Sequence, residues 1–527
     1  MKKLILFIIY FIAAVSAKNF GQTDINLSNL VSFDGEPSIA INPANSNNII
    51  AGWMRLRLDG KMWIATKASF DGGQSWSAIN FMPHDTLPNG SADVSIAFHN
   101  SGVAYLSYIN WRPSPDTAGA VFLSKSTDGG LSWSAPNKII DMTDKPDLPI
   151  DRPWISIDNS GGVNDGTIYF TSMSIYFYPG QHHIYLRSSA DGGNTWSSIK
   201  QVDDSLFSVG SLTVSYAPVS VGGDGKVYIA YMSYNTSVSP FVRLYIATTT
   251  DTGNTFQRYV AGNVFPAYAK LPFYTISADP VNNGYAILGW CDTRYGDLDV
   301  LLSKSIDGGQ TWAIPVRIND DAVNNGIVQD QVWSAFSATG ELALNWRDRR
   351  MNDTTSTSPF DIYAAVSLDG GNSFQPNFRM SSVSSPFQAL SCCNSFIGLA
   401  LTDSFVVANW GDNRNLDWDI YFNKANIAIT DVEEINSDIP VTFVLYQNYP
   451  NPFNPTTVIG YQLPVTGNVT LKIYDVLGRE ITTLVNETKE AGSYEVKFDA
   501  KQLSSGVYFY QLKTSSSVIT KKLMVMQ

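Results

Sequence analysis

The sequence predicts an all-β chain: a β-propeller followed by a small immunoglobulin-like β-sandwich. Three observations predict it. One turn is written six times at near-even spacing. Four short alternating strands surround each copy. From Phe443 the composition shifts to a second set of alternating strands.

The repeated turn reads SFDGGQSW at Ser69–Trp76, STDGGLSW at Ser126–Trp133 and SADGGNTW at Ser189–Trp196. It returns as TTDTGNTF at Thr249–Phe256, SIDGGQTW at Ser305–Trp312 and SLDGGNSF at Ser367–Phe374. Its aspartates are Asp71, Asp128, Asp191, Asp251, Asp307 and Asp369, with successive separations of 57, 63, 60, 56 and 62. A period of that size marks a solenoid or a propeller. Each repeat opens on an alternating run, such as Pro37–Ile41 or Pro153–Ile157. A second strand ends on an aromatic, as at Trp53 or Trp290. A third, such as DIYAAVS from Asp361, runs into the repeated turn, and a short fourth follows it. Four antiparallel strands per unit, set radially, make the blades of a propeller. Glycine supplies the turn with positive-φ backbone, the aspartate accepts from amides of its own turn, and the Trp or Phe packs between blades.

A seventh segment, Ser395–Lys424, carries three strands and no such turn: Ile427 falls where the aspartate would stand. Its missing fourth strand is expected from the other end of the chain, because INLSNLVSFDGEPSIAI from Ile25 is laid out like the stretch from Val316 to Phe336. That closes a ring of seven blades, with six or eight left open.

The S-x-D-x-G-x-[S/T]-[W/F] turn is the Asp box, and roughly residues 25–430 resemble the sialidase-like superfamily of Asp-box (BNR repeat) propellers. The resemblance implies that the boxes are structural and lie on the outer rim, away from any active site. A calcium reading of the Asp-Gly-Gly turns is weaker, since each box offers one carboxylate and calcium takes six or more oxygens. No metal and no cofactor is expected.

The ligand face should be the opposite one, where the links into first strands and the loops after second strands meet. First strands are entered through Glu36, Asp93, Asp151-Arg152, Asp330-Gln331 and Cys393-Asn394. Second strands end in Trp290-Cys-Asp-Thr-Arg294, Trp346-Arg-Asp-Arg-Arg350 and Trp410-Gly-Asp-Asn-Arg414, with Arg55, Arg57 and Trp111-Arg112 in the first two blades. Arginine suits bidentate binding of a carboxylate. Arg152, Arg294, Arg350, Arg414 and Trp111 are therefore the candidate ligand-binding residues, and Asp93, Asp151 and Glu36 the candidate catalytic ones. A W-x-D-x-R that recurs in three blades has a plainer reading too, as a brace between loops or blades.

Sialidases of the superfamily use three arginines on the substrate carboxylate, a Tyr nucleophile paired with Glu, and an Asp acid/base. The arginines and the Asp can be placed here. The Tyr–Glu pair is not evident: the propeller holds only Glu36 and Glu341, Glu341 falls in a box-face hairpin, and Glu36 is well placed with Tyr216 and Tyr274 as no more than candidate partners. The superfamily's Arg-Ile-Pro signature is absent. With four histidines, His84, His99, His182 and His183, a Ser-His-Asp triad has little to draw on, and the adjacent pair reads as loop surface.

Bulk composition narrows the class. Hydrophobic content is 44%, charged residues 16% and aromatics 13% over 527 residues, a β-rich balance in a chain long enough for two domains. A net charge of −12 argues against nucleic acid as a partner. Residues 1–17, MKKLILFIIYFIAAVSA, read as a signal peptide, and no later apolar run is long enough to span a bilayer. Three cysteines, Cys291, Cys392 and Cys393, are no disulfide scaffold.

Residues 431–442 read as an acidic linker, and 443–527 as the sandwich. Tyr449-Pro-Asn-Pro-Phe453, Tyr474-Asp475, Gly478-Arg479, Gly492, Ser505-Gly-Val-Tyr508 and Lys521-Lys522 closely resemble, in order, the type A sorting domain of type IX secretion cargo. The resemblance implies recognition by the outer-membrane secretion machinery and a secreted or surface-attached product. The expectation is an exported cargo whose propeller binds a glycan or a surface protein; the alternative is an exo-sialidase-like hydrolase using the arginine cluster.

Overall fold

The computed structural model describes residues 23–29, 33–83, 90–111, 119–141, 150–174, 183–204, 212–213, 217–234, 242–265, 273–351, 359–386, 396–427, 443–445, 448, 451, 453–463, 465–490, 492–514 and 517–526. The expected signal peptide, the linker and Cys392-Cys393 lie outside them. Among the described residues two compact units form, one within residues 16–429 and one within residues 430–527.

Seven antiparallel sheets make up the first unit among the described residues. Blade one runs Asp34–Asn42, Asn45–Leu56, Met62–Ser69 and Asn80–Phe81. Blades two, three, five and six repeat that order, beginning at Gly90–Phe98, Ile150–Ile157, Tyr274–Ala278 and Gln329–Phe336. Blade four breaks its first strand into Leu212–Thr213 and Val219–Val221. The blades are joined by apolar side chains from alternating positions of both strand faces, which is why second and third strands read as nearly continuous apolar runs. Buried clusters link one to two through Met54 and Val94, two to three through Ile109 and Ile155, and three through five around Tyr231. They continue from five to six through Val300 and Leu344, and from six to seven through Val366 and Val406.

The ring closes as the sequence requires. Blade seven holds Gly398–Leu401, Phe405–Asp412 and Asp419–Asn426, and its outer strand is Ile25–Asn26, paired to Phe422 and Tyr421. Asn26 Nδ2 and Ser28 Oγ donate to Asp419 at 2.8 and 2.9 Å. Asp24 accepts from Asn423 Nδ2 and Arg414, both at 2.7 Å. Leu27, Ile39 and Trp53 then share a core with Val407, Ile420 and Phe422.

Among the described residues the second unit is a sandwich of seven strands. One sheet orders Val444–Leu445, Thr456–Leu463 and Gly492–Asp499; the other orders Glu480–Lys489, Gly467–Tyr474, Gly506–Lys513 and Val518–Val525. Their inner faces bury Ile459, Tyr461, Leu471, Ile473, Tyr510 and Leu523. Among the described residues no helix is long and apolar enough to cross a membrane.

Candidate functional site at the propeller mouth

The Asp boxes sit where third strands turn into fourth strands, and each is a closed hydrogen-bond circuit. In the first, Asp71 accepts from the Ser75 hydroxyl and amide at 2.5 and 2.9 Å and from the Ser69 hydroxyl at 2.8 Å. Ser69 Oγ in turn takes the Gly73 amide at 2.8 Å. The Ser75 bonds, ahead of the others, hold the Asp71 carboxyl at about 2. Asp191, Asp251 and Asp369 are held at about 2 by the same pattern from Thr195, Thr255 and Ser373. The aromatic at the end of the box packs sideways: Trp76 meets Phe422 of blade seven edge-on with centroids 5.0 Å apart. These carboxylates are spent on their own turns. Among the described residues, no three His, Cys, Asp or Glu are grouped to hold a metal.

At the opposite end the first strands of blades one, two, three and six share an irregularity. Register slips between Gly35 and Ser38, Ala92 and Ser95, Asp151 and Trp154, and Asp330 and Trp333. Each slip is a β-bulge, and each contains a non-glycine residue in the left-handed region: Glu36 (φ 49°), Asp93 (50°), Arg152 (53°) and Gln331 (55°). Such backbone costs of order 1–3 kcal/mol per residue and persists where the surroundings enforce it, commonly at functional sites. Three of the four line one open hollow, with Pro37, Val94, Pro153, Trp154 and Phe396. Trp154 stacks on Trp333 at 4.9 Å and meets Phe396 edge-on at 5.3 Å, so aromatics from blades three, six and seven converge beneath the bulges.

Electrostatics here is dominated by crowding of carboxyls. Burial, then the neighbouring Glu36, pushes Asp93 up to about 8 against the pull of Arg152. Burial, then Asp93, pushes Asp151 to about 8. The bonds run in one direction: Asp151 donates to Asp93, and Asp93 donates to Glu36. Two protonated carboxyls therefore sit beside an accepting one at neutral pH. The Arg152 guanidinium lies 4.8 Å from the Phe396 ring centre.

The structure thus brings together Glu36, Asp93, Asp151 and Arg152. Arg294, Arg350 and Arg414 do not line that hollow. Each is fastened to the aspartate two residues before it, at 2.6, 2.9 and 2.5 Å, and that aspartate also takes the indole N–H of Trp290, Trp346 or Trp410. Their second contacts reach the preceding blade: Arg294 to the Asn263 carbonyl, Arg350 to Asp320, Arg414 to the Val383 carbonyl. Blade one assembles the same trio from Trp53, Arg55 and Asp34 of its first strand. Trp111 pairs with Gly90 and Gly119 at the strand end, and its side chain lies outside the described residues. In register it is Tyr108, bonded to the Pro83 carbonyl at 2.8 Å, that stands opposite the bulge as Trp53 and Trp346 do. Tyr274 is buried in blade five; Tyr216, His84 and His182 lie outside the described residues. Glu341 is held by Ser337 and by Thr339 at 2.6 Å in the box-face hairpin. His183 pairs with Asp203 at 2.8 Å.

Trp154, Trp333 and Phe396 escaped the sequence reading of the site. The signal was present: Asp151-Arg-Pro-Trp154 and Asp330-Gln-Val-Trp333 are the same four-residue pattern in two blades.

Residues 447–526 match the family described as the secretion system C-terminal sorting domain. No curated protein matches the chain. Solved structures similar to it include a protein of unknown function from Dyadobacter fermentans, at 14% identity, covering 77% of this chain and 99% of that one with a TM-score of 0.41. The Hadza microbial sialidase Hz136 is 15% identical, covering 73% and 75%, with a TM-score of 0.41. The GH93 α-L-arabinofuranosidase of Fusarium graminearum, in complex with arabinobiose, is 9% identical, covering 78% and 98%, with a TM-score of 0.45.

Proposed function

The chain ends in a type IX secretion sorting domain and is exported to the cell surface or beyond it; from that premise we propose that its propeller acts on extracellular glycans, with the central mouth as a glycoside-hydrolysing site. The observation that carries this reading is the hydrogen-bonded run Asp151–Asp93–Glu36, in which protonated and accepting carboxyls stand side by side. Glycoside hydrolysis needs one carboxyl to protonate the leaving oxygen and another, about 5–9.5 Å away across the bond, to attack the sugar or activate water, so the Asp93–Glu36 hydrogen bond has to open as substrate enters. Asp93 is assigned the acid, kept protonated by burial and by the neighbouring Glu36, and Glu36 the base or nucleophile, with Asp151 as a hydrogen-bond donor that orients Asp93. Half-buried Trp154 offers the apolar face that a sugar ring stacks on.

A second reading, glycan binding without turnover, is favoured by one observation: the W-x-D-x-R arginines are committed to braces. The two separate in one experiment. The full chain is screened for glycan binding on an array and for release of 4-nitrophenol from a set of glycosides, beside Asp93→Asn. Turnover lost in the variant supports hydrolysis. Binding without turnover supports the second reading. Neither, in folded protein, removes glycans from consideration.

A further inference from the structure

In blades five, six and seven the third strand opens on an aspartate, and the three share one register: Asp299, Asp361 and Asp419 stand opposite Asp292, Asp348 and Asp412. In blade six both oxygens of that aspartate take protein donors. Asp361 Oδ1 takes Arg379 and Ser381, and Oδ2 takes the Ser384 hydroxyl at 3.1 Å. In blade seven Ser28 donates to Oδ1 of Asp419 and Asn26 to Oδ2. Blade five departs from this. Asp299 is fully buried, and its Oδ1 takes Arg317 at 2.5 Å and Asn319 at 2.7 Å. Its Oδ2 has no donor. Two further buried acceptors at the same junction have none either: Oδ1 of Asp297 and Oε1 of the fully buried Gln329.

The chain holds these three groups together. Leu298, between the two aspartates, accepts the Gln329 amide at 2.8 Å. Gln329 Nε2 reaches Asp321 Oδ2 at 3.2 Å, and Asp321 Oδ1 shares the Asn319 side-chain amide with Asp299, at 2.7 Å to each. Asp297 is pinned through its other oxygen by the Gly326 amide at 2.6 Å. It is close enough to add to the rise that burial produces in the Asp299 carboxyl. Charge points the same way. Five carboxylates meet at this junction, Asp297, Asp299, Asp320, Asp321 and Asp348, against the two guanidiniums of Arg317 and Arg350. Buried acceptors without donors are costly, and an excess of carboxylate attracts a cation. Each Asp box spends its one carboxylate on its own turn; this junction offers two carboxylates and a carboxamide, a set of oxygens only. Calcium accepts such irregular sets and completes its shell with carbonyls and water, whereas magnesium demands an octahedron. We infer that the junction of blades five and six binds calcium through Asp297 Oδ1, Asp299 Oδ2 and Gln329 Oε1, pinning the loop after blade five's second strand to the entry of blade six. Gln329 leads directly into Asp330-Gln-Val-Trp333, so the ion anchors the strand that carries Trp333.

The test uses the full chain, stripped with EDTA, exchanged into metal-free buffer and titrated calorimetrically with CaCl2 and, separately, with MgCl2. Thermal unfolding of the same samples is followed by tryptophan fluorescence. Asp297→Asn keeps the size of the half-buried side chain and removes its charge. Gln329→Met removes the amide oxygen. Asp417→Asn, which stands before Asp419 as Asp297 stands before Asp299, is the control, and each variant is checked for native circular dichroism. The expected result is a single calcium per chain, a melting temperature higher in calcium than in EDTA, and weaker binding of magnesium. Asp297→Asn and Gln329→Met should each lower calcium affinity about tenfold or more, and Asp417→Asn should leave it unchanged. Should Gln329→Met fail to fold, Asp297→Asn decides alone. No calcium binding by the wild-type chain would overturn the inference. Binding that survives Asp297→Asn, or that falls equally in Asp417→Asn, would overturn the site. Magnesium bound as tightly as calcium would overturn the choice of ion.

Discussion

Gly73 is one residue by which the first Asp box meets the closing blade, and replacing it with alanine tests that closure directly. Its φ is +92°, and a Cβ built there would lie 2.5 Å from Cζ and 2.6 Å from Cε1 of Phe422. Two costs add. The left-handed backbone costs an alanine about 1–2 kcal/mol, and forcing a methyl into a packed ring costs about 1–3 kcal/mol. The sum is about 2–5 kcal/mol. Gly60 is the internal control: its φ is +75°, yet nothing lies within 4 Å of a Cβ there, so Gly60→Ala should carry only the backbone cost of about 1–2 kcal/mol. The assay is urea unfolding followed by tryptophan fluorescence, because all 13 tryptophans precede residue 430 and report the propeller alone. Adding Phe422→Leu to Gly73→Ala should return part of the loss, a non-additivity expected of touching residues. If Gly73→Ala proves no worse than Gly60→Ala, the argument from close approach is wrong.

Other outcomes follow from the charges. Arg414→Met should cost about 3–5 kcal/mol, since it strands the buried carboxylates of Asp412 and Asp24; replacing Asp412 with asparagine in the same chain should recover much of that in the same urea assay. The box aspartates titrate near 2 when folded and near 3.9 when unfolded. Their stabilisation is therefore complete above about pH 4 and disappears as pH falls through about 2; an Asp71→Asn variant should show a shallower acid dependence of its melting temperature. Asp93 and Asp151 have the opposite sign. The unfolded chain ionises them from about pH 4 while the fold keeps their protons to about 8, so stability falls as pH rises between those values. Asp93→Asn should flatten that slope in thermal melts, and a slope unchanged by the substitution would mean the protons are not held there.

The boxes, the blade order and the borrowed closing strand were legible in the chain because each is local. A box needs only a hydroxyl, a carboxylate and glycines within eight residues, so its circuit is written wherever the letters are. Glu36, Asp93 and Asp151-Arg152 could likewise be picked out as first-strand positions from strand alternation alone. The W-x-D-x-R motif carried two readings, ligand contact and brace, and only the fold puts a buried aspartate and the neighbouring blade within reach of each arginine.

The sequence by itself determined which residues turn, which strands alternate and that the chain carries a sorting domain, because hydrogen bonds within a turn and the two-residue period of a strand depend on near neighbours. The tertiary structure alone decided which side chains share the axis. Glu36, Asp93, Arg152 and Gln331 are 57, 59 and 179 residues apart in turn, and their bulges mean nothing until the ring closes. Only then does burial crowd three carboxyls together and hold the protons of Asp93 and Asp151, and no pattern of neighbours in the chain states that energy.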